Sequence, residues 1–149
     1  MKVKGVTPIL NVIDVPASVR WFESLGWCRA FAWNEGGHIK NAATENEQGP
    51  ANFAGLCANT PAEGEGPMIF VCRDGQGSRD PRPCTNPHSD DYGGVWMSWW
   101  VENVDEAFES ARAAGVEVVR PPKNEPWGVR EFLIRHPDGH YFRISGHVR

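Results

Sequence analysis

Candidate catalytic and metal-binding residues are concentrated near the end of the chain, in "PWGVREFLIRHPDGHYFRI" (residues 126–144). This segment holds two carboxylates on or near a turn, Glu131 and Asp138, and two histidines that flank the turn, His136 and His140. Imidazole and carboxylate groups can bind a divalent ion or transfer a proton. Each carboxylate stands alone, however, and a lone carboxylate does not specify an acid-base reaction.

Other catalytic arrangements are missing from the sequence. There is no Ser/His/Asp order with a nucleophile elbow, no glycine loop suited to phosphate, and no Cys/His pair with an orienting group. Four cysteines, Cys28, Cys57, Cys72 and Cys84, are widely spaced without a Cys-x-x-Cys pair. This spacing argues against a zinc knuckle and against a disulfide framework. We therefore expect no catalytic residue.

The same C-terminal segment predicts a β-hairpin. Phe132 and Ile134 alternate with Glu131 and Arg135, an imperfect period of two that is typical of a strand. Pro137-Asp138-Gly139 then supplies the turn into a second strand.

An internal repeat organises the whole chain. "NVIDVPASVRWFESLG" (11–26) aligns without gaps on "WVENVDEAFESARAAG" (100–115), an offset of 89 residues. Asp14 falls on Asn103 at the end of a predicted strand, and Gly26 falls on Gly115 at the end of a predicted helix. Each copy therefore predicts a strand followed by a short amphipathic helix.

Three further strand-like stretches follow each copy of the repeat. They are "WCRAFAW", "NFAGLCA" and "MIFVCR" in the first half, and "VEVVRP", "REFLIR" and "HYFRI" in the second. We predict an α+β fold, a single domain of two tandem βαβββ modules (about 1–73 and 95–149) that form a cupped mixed sheet around a cleft. Residues 34–50 and 73–94 are rich in Gly, Pro, Asn and Asp and are expected to form long loops, and residues 74–94 would join the modules.

Composition limits the classes of partner. The chain has 149 residues, 40% of them hydrophobic, which is enough for one substantial core. A net charge of −4 leaves no basic face for phosphates, so nucleic acid and anionic membrane are poor partners. The N-terminal apolar run is interrupted by Asp14, and no stretch reaches the roughly 20 apolar residues of a membrane span. We expect a cytoplasmic protein.

Seven tryptophans are unusual for this length, and three of them lie in the strand-like "WMSWWV" (96–101). Alternation divides this strand into two faces. One face should pack on the helix: Met97, Trp99 and Val101. The other should line the cleft: Trp96, Ser98 and Trp100.

The two repeat copies and the ending "PWGVREFLIRHPDGHYFRI" resemble the vicinal oxygen chelate superfamily, which includes glyoxalases, ring-cleaving dioxygenases and bleomycin resistance proteins. The resemblance covers nearly the whole chain. The tryptophan-rich strand followed by "PWGVREF" is most similar to the bleomycin-resistance branch. The resemblance implies paired βαβββ modules, usually in a homodimer, with a cleft in each half-barrel.

Metal-dependent members of the superfamily bind a divalent ion through four side chains that point into the cleft. The resemblance places these positions at Thr7, Phe70, Trp96 and Arg143. Divalent ions need imidazole or carboxylate ligands, and a guanidinium at close range would repel the cation. We therefore expect no metal and no other cofactor.

An atypical metal site built from His136, His140 or His147 remains the open alternative. It would make the protein a lyase or a dioxygenase with unexpected ligands.

The resemblance also indicates groove-lining positions: Trp100, Phe31 and Phe53 match aromatic residues of the drug groove in the bleomycin-resistance branch. The predicted ligand-binding residues are Trp100, Trp96, Phe31, Phe53, Phe70, Ser98 and Arg143. We expect a metal-free protein that sequesters an aromatic small molecule, such as an antibiotic.

Acidic residues of the joining loop favour a cationic ligand: Asp74, Asp80, Asp90 and Asp91. Arg143 could instead hold an anionic group of the ligand, or form only a salt bridge. A ligand sensor, or an accessory subunit, is a third possibility.

Overall fold

The computed structural model describes residues 2, 5–40, 43–59, 66–73 and 95–148. The predicted joining loop, 74–94, lies outside the described residues. The chain divides into two compact units, Met1–Ser78 and Arg79–Arg149. That the two units form a single domain stays a prediction.

Unit 1 contains one helix and a five-stranded sheet ordered β1-β7-β6-β2-β3, in which β1 is parallel to β7 and the other pairs are antiparallel. A separate two-stranded ribbon pairs β4 with β5. The elements are β1 (Ile9–Asn11), α1 (Val15–Ser24), β2 (Cys28–Asn34), β3 (Gly37–His38), β4 (Glu45–Asn46), β5 (Gly49–Pro50), β6 (Phe53–Cys57) and β7 (Met68–Cys72).

Unit 2 repeats this arrangement with one helix and a four-stranded sheet ordered β8-β11-β10-β9. Strand β8 is parallel to β11, and the other two pairs are antiparallel. The elements are β8 (Trp96–Trp100), α2 (Val104–Ala113), β9 (Glu117–Asn124), β10 (Val129–Arg135) and β11 (Tyr141–His147).

The predicted offset of 89 residues relates the two helices residue for residue, since Val15–Ser24 maps onto Val104–Ala113. The aligned polar residues cap both helices. The Asp14 carboxylate accepts a hydrogen bond from the backbone N–H of Ala17 at 2.8 Å, and the Asn103 side chain accepts from Asp105 at 3.1 Å. The mixed α+β fold and its two repeated modules are therefore as predicted.

A glycine beyond the C-terminal end of each helix is also repeated. Gly26 and Gly115 have φ angles of 86° and 70°, a left-handed conformation that a side chain disfavours. The polypeptide can therefore turn sharply from helix to strand in both copies of the repeat.

Burial explains why each helix covers one face of its sheet. Helix α1 contacts β2, β6 and β7, and alternate residues of these strands are fully buried, among them Ala32, Ala54 and Val71. In unit 2, the ring of Phe108 on α2 meets Phe132 on β10 edge to face at 5.5 Å. The face of each sheet that packs on its helix is thereby identified.

One detail differs from the sequence-based expectation. Residues 34–50 were expected to form a loop, but three two-residue strands occur there, β3, β4 and β5. Asn34 holds this region together, because its side chain binds Asn46 and the backbone oxygen of Gly49 at 2.6 and 2.8 Å. Such side-chain bonds depend on residues far apart in sequence, which a local pattern does not reveal.

The predicted Pro-Asp-Gly turn is present, with Gly139 at φ 87° and its N–H bonded to the carbonyl of His136 at 2.9 Å. No helix among the described residues is long and apolar enough to cross a membrane.

Candidate functional site

The candidate site lies on the face of the unit 2 sheet opposite α2, which we call the tryptophan face. Its residues are Trp96, Ser98 and Trp100 of β8 and Tyr141, Arg143 and Ser145 of β11. Strand pairing aligns them in three rows, Trp96 with Tyr141, Ser98 with Arg143 and Trp100 with Ser145. The structure therefore brings four of the predicted ligand-binding residues together.

Strand β8 alternates as its sequence predicts. Trp99 pairs with Ile144 across the strands, and its ring lies 4.4 Å from that of Phe142, a fully buried residue on the α2 side of the sheet. Trp96 and Trp100 point to the other face and are exposed. Trp99 therefore lies on one face of β8 and Trp96 and Trp100 lie on the other, as the sequence predicts.

Two aromatic stacks stand at the ends of the tryptophan face. Trp96 stacks on Tyr141 with ring centroids 5.2 Å apart, and Trp100 stacks on His147 at 5.4 Å. Stacked rings of this kind offer flat apolar surface that a planar ligand can contact. Neither Tyr141 nor His147 was among the predicted ligand-binding residues.

Arg143 occupies the row between the two stacks. Its guanidinium carbon lies 5.9 Å from the centroid of Trp96, a cation–π distance. Its Nε atom lies 3.7 Å from Oε1 of Glu131 on the adjacent strand. The half-buried guanidinium is therefore both oriented by an aromatic ring and attracted by a carboxylate.

Glu131 lies in the predicted strand near the hairpin turn, now β10, but its burial was not predicted from the sequence. Its side chain is only 2% exposed. Arg120 of β9 binds Glu131 at 2.7 Å, and the Ser145 hydroxyl donates to its other oxygen at 3.4 Å. Buried carboxylates require such partners, because desolvation of an unpaired charge is costly.

A second buried carboxylate extends this ionic cluster. Glu125 forms ion pairs: its Oε1 lies 3.2 Å from a guanidinium nitrogen of Arg120, and its Oε2 lies 3.5 Å from Nζ of Lys123. The ionic cluster, which we define as Arg120, Lys123, Glu125, Glu131 and Arg143, adjoins the tryptophan face along β9, β10 and β11.

The predicted aromatic residues of unit 1 also meet. Phe31, Phe53 and Phe70 form a triangle with ring centroids 5.3 to 6.0 Å apart, on the face opposite α1. Gly55 makes room for it, because a Cβ atom there would overlap the Phe31 ring. This phenylalanine cluster is half-buried and carries no charge of its own.

The donor chemistry at the metal positions implied by family resemblance does not fit a divalent ion. Thr7 is exposed, Phe70 belongs to the phenylalanine cluster, and Trp96 lies beneath the guanidinium of Arg143. None of these side chains supplies an imidazole or a carboxylate. Across the described residues, no group of three or more His, Cys, Asp or Glu side chains converges on a point.

The three histidines proposed as atypical ligands do not come together. His136 and His140 flank the turn with ring centroids 5.7 Å apart, whereas His147 lies at the other end of β11, roughly 20 Å away at the rise of a strand. The Nδ1 atoms of the first two accept backbone N–H groups, from Asp138 at 3.0 Å and from Val95 at 3.2 Å. The His136 ring therefore supports the turn, and the His140 ring joins the hairpin to the residue that precedes β8.

Burial makes His136 chemically unusual. Burial lowers the pKa of His136 from its ordinary value of 6.5 to about 4, although the attraction of the Asp138 carboxylate acts to raise this pKa. The ring is therefore neutral at physiological pH.

A groove of about 310 Å³ also lies beside the N-terminus of α2. Arg130 lines this groove and forms three hydrogen bonds of 2.7 to 3.1 Å with Asp105. This pairing lowers the pKa of the Asp105 carboxyl. The groove includes His147 but none of the other aromatic residues described above. It is therefore a weaker candidate than the tryptophan face.

Solved structures share this fold across almost the full length of the chain. TioX from Micromonospora sp. ML1 is 24% identical, with a TM-score of 0.65 over 97% of this chain and 100% of its own. A glyoxalase-related enzyme from Clostridium phytofermentans is 15% identical, with a TM-score of 0.66 over 99% and 98% of the two chains. A superfamily member from Sphaerobacter thermophilus is 19% identical, with a TM-score of 0.62 over 97% and 98%.

No curated protein matches the sequence. The family model for the Glyoxalase/Bleomycin resistance protein/Dioxygenase superfamily, however, matches residues 5–144. The chain belongs to this superfamily.

Proposed function

We propose that the protein is a metal-free small-molecule-binding protein of the bleomycin-resistance type, which sequesters an aromatic ligand such as an antibiotic without transforming it. The observation that carries this proposal is Arg143. A guanidinium stands between two aromatic stacks at a position where the metal-dependent relatives implied by the resemblance need an acid. Such a site offers a ligand both stacking and charge.

Aromatic surface in both units supports the proposal. The tryptophan face carries Trp96 and Trp100, and the phenylalanine cluster adds three rings on unit 1. Each ring that stacks on a ligand contributes about 0.5 to 1.5 kcal/mol beyond the area it buries. A ligand that contacts several rings of one unit would be held without any covalent step.

Two features of the proposal depend on other observations. A cationic ligand was expected from Asp74, Asp80, Asp90 and Asp91, which lie outside the described residues. The expected homodimer rests on the family resemblance. Both stay predictions.

Substitution of Trp100 tests the proposal. Trp100→Ala is expected to weaken binding of an aromatic probe such as 2-naphthoate by about 1 to 3 kcal/mol, because stacking and apolar contact are both lost. Isothermal titration calorimetry of protein dialysed against a chelator would measure the change. The metal-dependent alternative predicts instead that the probe binds only after a divalent ion is restored.

The chain supplies a matched control for this experiment. Trp127 is 64% exposed, close to the 63% of Trp100, but it lies in the connection between β9 and β10, outside the sheet. Trp127→Ala should leave probe affinity unchanged. Equal losses in the two variants would contradict the proposed site.

A further inference from the structure

The ionic cluster beside the tryptophan face has more cations than carboxylates. Its three cations are Arg120, Lys123 and Arg143, and its two carboxylates are Glu125 and Glu131. Arg135, on the same side of the sheet, does not change this difference because it pairs with Glu117 at 3.6 Å. Among the described residues, the cluster therefore has one positive charge in excess.

The excess charge is localised on Arg143 by distance. Arg120 lies 2.7 Å from Glu131 and 3.2 Å from Glu125, so it is the principal partner of both buried carboxylates. Arg143 reaches Glu131 only at 3.7 Å, the longest contact in the cluster, and its side chain is 40% exposed. Its guanidinium therefore retains donors for a further acceptor, since arginine has five N–H groups in a planar fork.

The residues around Arg143 determine the shape of the ligand that would carry this acceptor group. Trp96 and Trp100 are four residues apart on β8, about 13 Å along the strand, and Arg143 pairs with Ser98 between them. A planar ring that lies on either aromatic stack would place a substituent within reach of the guanidinium. An acidic substituent would match both its charge and its fork of donors.

We propose that the tryptophan face binds an aromatic monoanion, such as an aryl carboxylate, with the ring on an aromatic stack and the acidic group on Arg143. This inference rests on the proposed function and names the ligand class. It differs from the cationic ligand expected from the acidic joining loop, so the two ideas give opposite results in a single titration.

The experiment compares three probes of similar shape and different charge: 2-naphthoate, 2-naphthamide and 2-naphthylmethylammonium. Calorimetry at low salt should find the carboxylate bound most tightly and the ammonium most weakly. The advantage of the carboxylate should shrink as salt is added, because screening weakens an exposed ion pair. Equal affinities for the carboxylate and the amide, or tightest binding of the ammonium, would overturn the inference while leaving the proposed function intact.

Substitutions locate the charge effect. Arg143→Gln should weaken 2-naphthoate binding roughly tenfold, as expected for loss of a charge-assisted hydrogen bond, with little effect on 2-naphthamide. Arg135→Gln is the matched control, because Arg135 is 43% exposed and lies 5.7 Å from the Tyr141 ring, but is balanced by Glu117. An equal loss of 2-naphthoate affinity in the two variants would contradict the role of Arg143.

Two further variants separate charge from structural damage. Arg143→Lys keeps the cation and should retain the preference for the carboxylate over the amide. Glu131→Gln removes the competing carboxylate and should raise 2-naphthoate affinity, whereas a purely structural role of the ionic cluster predicts a loss for all probes. If none of the three probes binds the wild-type protein, the proposed function fails together with this inference.

Discussion

Trp99→Ala is expected to lower the free energy of unfolding by about 3 kcal/mol, whereas Trp100→Ala should change it by less than about 1 kcal/mol. The two residues are adjacent in sequence but lie on opposite faces of β8. The Trp99 ring packs at 4.4 Å against Phe142, which is fully buried. Truncation would leave a cavity on the α2 side of the sheet, where neighbouring side chains can collapse only partly.

Chemical denaturation of the two variants would measure the difference, with probe titration as a second readout. A one-residue change in register would exchange the two residues between faces. A Trp99→Ala protein with wild-type stability and lost probe binding would therefore show that the assigned faces of β8 are reversed.

Acidification should destabilise the protein through His136 by about 3 kcal/mol between pH 6.5 and pH 4. Burial lowers the pKa of His136 from 6.5 to about 4, so in this range the unfolded chain binds a proton that the folded protein does not. The contribution of the neutral ring is complete above pH 6.5 and is lost as the pH falls towards 4. Each pH unit in that interval costs about 1.4 kcal/mol.

His136→Asn removes the titrating group and keeps an acceptor near the position of Nδ1, which binds the backbone N–H of Asp138. The variant should therefore lose stability less steeply with falling pH than the wild type. The control is His38→Asn, because His38 is exposed and should give the wild-type slope. Indistinguishable slopes for the wild type and His136→Asn, measured by denaturation at each pH, would refute the effect.

Much of the fold is predictable because the responsible signals are local. Asp14 and Asn103 mark helix starts by capping, Gly26 and Gly115 mark helix ends by conformation, and Pro137-Asp138-Gly139 fixes the hairpin. The alternation of β8 is equally local.

Glu131 shows why the ionic cluster was missed. Its burial depends on Arg120 of β9 and Ser145 of β11, and a β-bulge between β9 and β10 shifts the register that joins them. The hairpin turn could have indicated that Glu131 lies opposite Ser145 and Leu133 opposite Arg143. The position of Arg120 could not be predicted in this way, because a bulge adds a residue at a point that alternation does not specify.

The most direct test of the proposed aromatic site is an NMR titration of the indole N–H resonances in protein dialysed against a chelator. Resonances would be assigned by single Trp→Phe substitutions, and 2-naphthoate would be added without any divalent ion. The account predicts that the resonances of Trp96 and Trp100 shift most, because their rings lie on the tryptophan face, and that Trp99 shifts least of the three. Resonances that stay unchanged until a divalent ion is added would contradict it.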